Sequence, residues 1–322
     1  MSMNPQTFFS FLAALFKPTP LDPANEIITT PASFSPQTGA NFDPKVALWL
    51  INATSLAYSY ERTPNRLIPL IQASDSSKRD ILYVDNFGLL DLPGLSSFKN
   101  LPVNPKAPLR APVGFIAPLD PTDDGVNRIV LAIRGTVNPS DVVTDMSYTL
   151  VPLTSKLANL AIHTGISTAM YTKSASLKRS LKEQIFASLD KYLSSTGQNE
   201  LYITGHSLGA ALATLALFEI ATAYPDLRII GYNFASPRFA NRAFAKSFNE
   251  LGENRTASLT TFRVYNSEDT ITNLPLPIMP GVKETYAHTN DGWVFARNTG
   301  LPVQNHILTT YEAVIRGLNL GL

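Results

Sequence analysis

The chain contains no cysteine, which excludes disulfides, thiolate metal sites and a cysteine nucleophile together, while leaving the compartment open. Histidine is scarce: His163, His206, His288 and His306 are the four, and no pair stands at the close spacing of a helical zinc motif. A metal-dependent hydrolase is therefore not expected, and no metal or other cofactor is foreseen. Net charge is almost absent. The 26 basic and 25 acidic residues leave +1, with no basic block to draw the chain to nucleic acid or an anionic membrane, so neutral substrates are the expectation. Long apolar runs are missing too. Phe8 to Phe16 is far too short to span a bilayer. It has the length of a signal-peptide core, but no Lys or Arg precedes it and no small-x-small site follows, so no cleavable signal peptide is expected and localisation stays undefined. An N-terminal helix packed on the domain is the expectation there, with transient contact to a lipid interface as the alternative.

What is present is an ordinary globular composition, 322 residues with 44% hydrophobic and 16% charged, enough for one large α/β domain. Residues 1–42, including the Pro-rich Lys17 to Pro23, are set apart as an N-terminal extension, and 43–322 as the domain. Asp43-Pro44 offers an N-cap and a proline at the first helical position. Val46, Leu48, Trp49, Leu50, Leu56 and Tyr60 then outline a largely buried helix ending near Arg62, read as structural. Ile81 to Val84 is a weak strand, and Pro93 to Pro112 is read as loop because its prolines lack ladder donors. Val113 to Ala117 and Arg128 to Ile133 form two strands joined through the turn-rich Pro121 to Gly125, and the second runs straight into Arg134-Gly135-Thr136. Val137 to Tyr148, with Pro139, Asp141 and Asp145, suits a short surface helix of the kind that serves as a lid.

Leu177, Leu181, Ile185, Leu189 and Leu193 recur every fourth residue with charges between them, predicting an amphipathic helix over one sheet face. There follow a strand at Leu201 to Ile203, an Ala-rich helix from Ala211 to Phe218, a strand at Arg228 to Ala235, a helix at Ala243 to Leu251, a strand at Thr260 to Asn266 and a terminal helix at Thr309 to Leu318. Helices alternating with single strands imply a mainly parallel sheet covered on both faces. Ligands of such sheets bind beyond the carboxyl ends of the strands.

The informative stretch is Thr204-Gly205-His206-Ser207-Leu208-Gly209-Ala210, lying between strand and helix. A serine on so tight a turn needs neighbours with little or no Cβ two residues to either side, and glycine stands at both. The turn also lifts the serine to a helix N-terminus, where backbone N–H groups can receive an oxyanion. A serine nucleophile needs a base, and the base needs an acid. In the chain order Ser, acid, His, the downstream histidines are His288 and His306. Asp269, just past a strand end, and Asp291 are the candidate acids. His206 and His163 answer no mechanistic need and are read as packing.

Several blocks together resemble the class 3 lipases, α/β-hydrolases that cleave triacylglycerols and related carboxylic esters. They are Thr204 to Ala213, Ile133-Arg134-Gly135-Thr136, His163-Thr164-Gly165 with Tyr171, Ala235-Ser236-Pro237-Arg238, and Val264 to Asp269. The likeness runs with gaps from about Asp43 to Tyr311. It implies Ser207 as nucleophile, Asp269 as acid and His306 as base, with His288 at a structural position. The oxyanion hole would be the N–H of Leu208 and the N–H, with the hydroxyl, of Thr136, and Asp145 would hold that hydroxyl or else be a solvated carboxylate. Val137, Val142, Val143 and Met146 would line the lid, although the family's lids often carry a large aromatic residue where this chain has Val142. The activity implied is a lipid ester hydrolase, foremost a triacylglycerol lipase, with a short-chain or aromatic acyl esterase and a non-catalytic lipid-binding relative as alternatives.

Overall fold

The Asp43 carboxylate accepts hydrogen bonds from the N–H groups of Lys45 (2.8 Å) and Val46 (3.3 Å), so helix α1 (Pro44–Ser59) starts where a capping aspartate and an N1 proline dictate. The structure, a computed structural model, describes residues 42–59, 79–85, 110–119, 124–136, 149–153, 159–195, 197–253, 255–278, 285–289 and 292–320. The expected lid, with Val137, Val142, Val143, Asp145 and Met146, lies outside them. So do residues 1–41, Tyr60 to Arg62 and the rival acid Asp291. Phe42, counted above with the extension, packs on the domain: its ring stacks on Trp293 at 4.4 Å and meets Tyr232 and Phe262, each at 5.5 Å.

The strands are β1 (Asp80–Asp85), β2 (Arg110–Pro118), β3 (Asn127–Ile133), β4 (Leu150–Pro152) and β5 (Ala161–His163). After helices α2 (Thr164–Tyr171) and α3 (Leu181–Tyr192) come β6 (Asn199–His206), α4 (Leu208–Ala223), β7 (Arg228–Phe234), β8 (Ala240–Asn241), α5 (Arg242–Asn249) and β9 (Leu259–Asn266). The chain then forms a 3-10 turn (Thr270–Asn273), β10 (Tyr286–Ala287), β11 (Trp293–Phe295), α6 (Pro302–His306) and α7 (Leu308–Leu320). The main sheet runs β1-β2-β3-β6-β7-β9-β11. Pairing is antiparallel from β1 to β3 and parallel from β3 to β11. One apolar cluster packs α3, α4 and α5 on one face, and another packs α1 and α7 on the other. This is the doubly covered α/β sheet that the alternation of elements implies.

Three boundaries differ from the sequence reading, each for a physical reason. The loop through Pro112 gives way to strand at Arg110, and Pro112 faces Tyr83 where the register slips beside Leu82. Pairing of β2 with β3 begins only at Gly114, so Pro112 lies beyond that ladder and its missing donor costs little. Helix α3 begins at Leu181, not Leu177, because Ser180 and Glu183 form a reciprocal capping box that fixes the start one turn later. Between Asn266 and Thr309, where the sequence reading placed no element, Pro302 in the first turn opens the short helix α6, which His306 closes.

The level of the strand ends positions the site. Ile133 pairs with Gly205, His206 with Phe234 and Phe234 with Val264. The segments leaving β3, β6 and, one strand further along, β9 therefore emerge at the same carboxyl edge, carrying Thr136, Ser207 and Asp269.

Candidate active site

Ser207 sits between β6 and α4 with φ 56° and ψ −128°, a conformation that L-residues adopt only when the surroundings over-determine it. Those surroundings are backbone. A Cβ on Gly205 would lie 2.3 Å from the Gly209 carbonyl oxygen, and one on Gly209 would lie 2.4 Å from the carbonyl oxygens of Arg134 and Ile133. Both glycines are thus required by close approach of chain to chain, which is how the motif holds the serine aloft.

His306 Nε2 lies 2.8 Å from Ser207 Oγ, and His306 Nδ1 lies 2.7 Å from Asp269 Oδ2. All three side chains are buried. The distances suit a hydroxyl donating to Nε2 while Nδ1–H donates to the carboxylate. Asp269 is held from other sides as well. Its Oδ1 accepts the Ile271 N–H at 3.0 Å, capping the 3-10 turn, and its Oδ2 also accepts the Tyr311 hydroxyl at 2.7 Å. That hydroxyl in turn accepts the Asn266 N–H at 3.1 Å. Burial and the Asp269 charge push the Tyr311 phenol well above its ordinary range, so it stays a neutral donor. Asn266 Nδ2 also donates to the Asn305 carbonyl (3.2 Å), and Asn305 Nδ2 to that of Glu268 (3.0 Å). The loop bearing the acid is thereby laced to the helix bearing the imidazole.

Beside the serine are two groups fit to receive negative charge. Leu208 opens α4, so its N–H has no carbonyl one turn earlier to meet. Thr136 is buried and its hydroxyl has no hydrogen-bond partner among the described residues. The backbone before it is held on both sides. Gly135 N donates to Tyr58 OH at 2.9 Å, and the Gly135 carbonyl accepts Arg134 Nη1 at 2.9 Å. Because the Gly135 oxygen and the Thr136 N–H belong to one planar trans peptide, holding the oxygen aims the N–H the opposite way.

His206, read as packing, uses both ring nitrogens: Nδ1 lies 2.7 Å from Tyr58 OH and Nε2 2.8 Å from the His306 carbonyl oxygen. Burial, and then its neighbour His306, lower its pKa to about 3. His288 hydrogen-bonds the backbone of Thr272, with its pKa lowered to about 2 by burial and by Arg263 and Arg238, and it makes no hydrogen bond to Ser207 or Asp269. His163 caps α2, its Nδ1 accepting the Gly165 N–H at 3.0 Å. Tyr58, His206, Asn266 and Tyr311 are the groups that sequence reasoning passed over. Among the described residues no group of acids and histidines could hold a metal ion, and no helix is long and apolar enough to cross a membrane.

Residues 130–279 match the family described as lipase (class 3), and the blocks that carry the resemblance between Ile133 and Asp269 fall inside that segment. Among characterised relatives, the chain is 30% identical over 235 residues to phospholipase A1-II 6 of Oryza sativa subsp. japonica, covering 65% of this chain and 56% of that one. It is 30% identical over 191 residues to secreted mono- and diacylglycerol lipase A of Penicillium cyclopium, covering 58% and 52%. The aligned part thus spans about half the length of these relatives. Among solved structures, the lipase of Rhizopus microsporus var. chinensis superposes with a TM-score of 0.50 at 17% identity, over 81% of this chain and 82% of that one. This shows the fold to be that of the fungal lipases.

Proposed function

We infer, taking residues 130–279 as a class 3 lipase segment, that the chain is a serine hydrolase of lipid carboxylic esters. The observation that carries the reading is the continuous path from Ser207 Oγ through His306 to Asp269, at 2.8 and 2.7 Å, on an elbow that only glycines permit. Ser207 Oγ attacks the ester carbonyl as His306 Nε2 takes its proton, and Asp269 stabilises the imidazolium. The carbonyl oxygen, now negative, is received by the N–H groups of Leu208 and Thr136, with the Thr136 hydroxyl as a third donor. Collapse of this intermediate breaks the bond to the alcohol, which leaves with the proton from His306. Water, deprotonated by His306, then attacks the acyl-serine and releases the fatty acid and the free serine.

The substrate class is an acyl ester of glycerol. Triacylglycerol is the substrate that the family resemblance implies. The relatives named for phospholipase A1 and for mono- and diacylglycerol lipase activity widen the choice to glycerolipids with a smaller or polar third substituent. The test labels the full chain with a fluorophosphonate, then assays it on triacylglycerol emulsion, diacylglycerol and phosphatidylcholine vesicles. Labelling and fatty-acid release should both vanish in Ser207→Ala. A wild-type chain that neither labels nor releases fatty acid would sink the reading in favour of a lipid-binding relative, and release from soluble short-chain esters alone would make it an esterase.

A further inference from the structure

Helix α1 touches the nucleophile strand at two points one helical turn apart. Thr54 Oγ1 meets Thr204 Oγ1 at 2.9 Å, and Tyr58 OH meets His206 Nδ1 at 2.7 Å. Positions i and i+4 of a helix advance about 6 Å, and i and i+2 of a strand about 6.6 Å, so one face of α1 and one face of β6 come into step here. The second contact reaches further than packing requires. The Tyr58 oxygen also receives the Gly135 N–H, and His206 Nε2 meets the backbone carbonyl of His306.

The protons along this path can be assigned from the partners alone. The His306 carbonyl only accepts and the Gly135 N–H only donates, so a neutral ring must be protonated at Nε2, and the Tyr58 oxygen accepts from Gly135 while its own hydrogen goes to His206 Nδ1. That nitrogen is then an acceptor, the ring proton is on Nε2, and it is donated to the carbonyl of His306. Every group is satisfied with a neutral imidazole in one tautomer, in keeping with a ring too deeply buried to ionise readily. The space is filled to contact: a Cβ on Gly135 would lie 2.7 Å from Tyr58 OH and 2.9 Å from Ser207 Cβ. The His206 and His306 rings lie 4.9 Å apart.

We propose that Tyr58 and His206 are positioning residues of the acyl-transfer site, tying the oxyanion strand at Gly135 to the backbone of the base His306. They touch neither substrate nor reacting atoms. Their part is to hold two components that come from distant stretches of chain, residues 134–136 and 302–306, at fixed separation on either side of Ser207. Tyr58 lies outside the segment that matches the family, so the helix that carries it is a functional part of the site and more than a cover for the sheet. The proposal rests on the hydrolase reading above.

The test uses the full chain and a soluble nitrophenyl ester. A fluorophosphonate titration counts competent sites, and kcat and KM are expressed per titrated site, which removes any loss of folded protein from the comparison. Tyr58→Phe should lower kcat by about 10- to 100-fold with KM changed by less than about twofold, the pattern of misplaced reacting groups and not of lost substrate contacts. His206→Gln keeps a donor for the His306 carbonyl and should retain more kcat than His206→Leu, which keeps only bulk. Unchanged kcat per site in Tyr58→Phe, a loss confined to KM, or equal kcat in the two His206 variants would overturn the proposal. If Tyr58→Phe does not accumulate as folded protein, the His206 pair decides alone. A wild-type chain that fails to label defeats the hydrolase reading itself, so the two failures are told apart.

Discussion

Strand β6 carries a carboxylate near its start and the proposed nucleophile just past its end, and the two are housed differently. Glu200 is buried beside a cleft of about 460 Å³ lined also by Val126, Asp226 and Arg228. Its two oxygens are taken up by Arg128 Nε at 3.3 Å and Arg228 Nη1 at 3.0 Å, and Arg128 is shared with Asp124 at 2.6 Å. Charge there is matched by charge. At the opposite end, Ser207, His306 and Asp269 form a directed chain of hydrogen bonds, while the buried Thr136 hydroxyl has no partner among the described residues. An orphaned buried hydroxyl costs stability, and beside the elbow it fits the oxyanion role proposed above. Two ends of one strand, equally buried, thus separate by how completely their polar groups are satisfied.

The sharpest way to break that contrast is at the nucleophile. Ser207→Ala or His306→Ala should lower kcat by about 10⁶, and Asp269→Asn by about 10⁴, because an amide in that place favours the wrong imidazole tautomer. Next comes the unsatisfied hydroxyl. Thr136→Val should cost about 10² to 10³ in kcat with the melting temperature held or raised, since an orphan is removed as a donor is lost. Unchanged turnover would limit Thr136 to its backbone.

A smaller effect comes from acid. His206 has an ordinary pKa of 6.5, lowered to about 3 in the fold. Between those values the unfolded chain binds a proton that the folded chain does not. Stability is therefore full above 6.5 and falls as pH drops, by about 2 kcal/mol at about pH 5 from this residue. His288, shifted in the same direction, adds to the fall. Thermal denaturation at about pH 7.5 and about pH 5 measures the difference, and His206→Gln should shrink it. Smallest is the change at the other end of the strand. Glu200→Gln should cost about 1–2 kcal/mol, limited because the Arg228 side chain is 57% exposed, and should leave kcat unaltered.

The sequence already contained the elbow and the alternation that places it, because tight turns and amphipathic repeats are local. Both glycines of the motif and the covered sheet could be read without coordinates, and Asp269 after β9 could be read as one of two candidate acids. The second sheet, β10-β8-β5-β4, could not, since its strands run for two or three residues and a period of two has no room to repeat. Nor could Tyr58 and Tyr311, whose place in apolar helical stripes makes them look like core. What distinguishes them from phenylalanine is one oxygen, and its partners, Gly135 and His206 for one and Asp269 for the other, are remote in the chain. Asn305, next to His306 and buried, is the kind of residue that could have been singled out: a buried amide beside a candidate base is seldom idle.

The Arg134 side chain, fully buried, donates through Nη1 to the Gly135 carbonyl and through Nε to that of Pro112. A peptide group held by its oxygen cannot turn over without first abandoning a bond to a charged donor. The direction of the Thr136 N–H is accordingly settled once, when the chain folds, and does not have to be found anew at each turnover. For a hydrolase this shortens the list of events between arrival of an ester and its attack. If that N–H receives the oxyanion as proposed, acylation followed from the first milliseconds should begin without a lag.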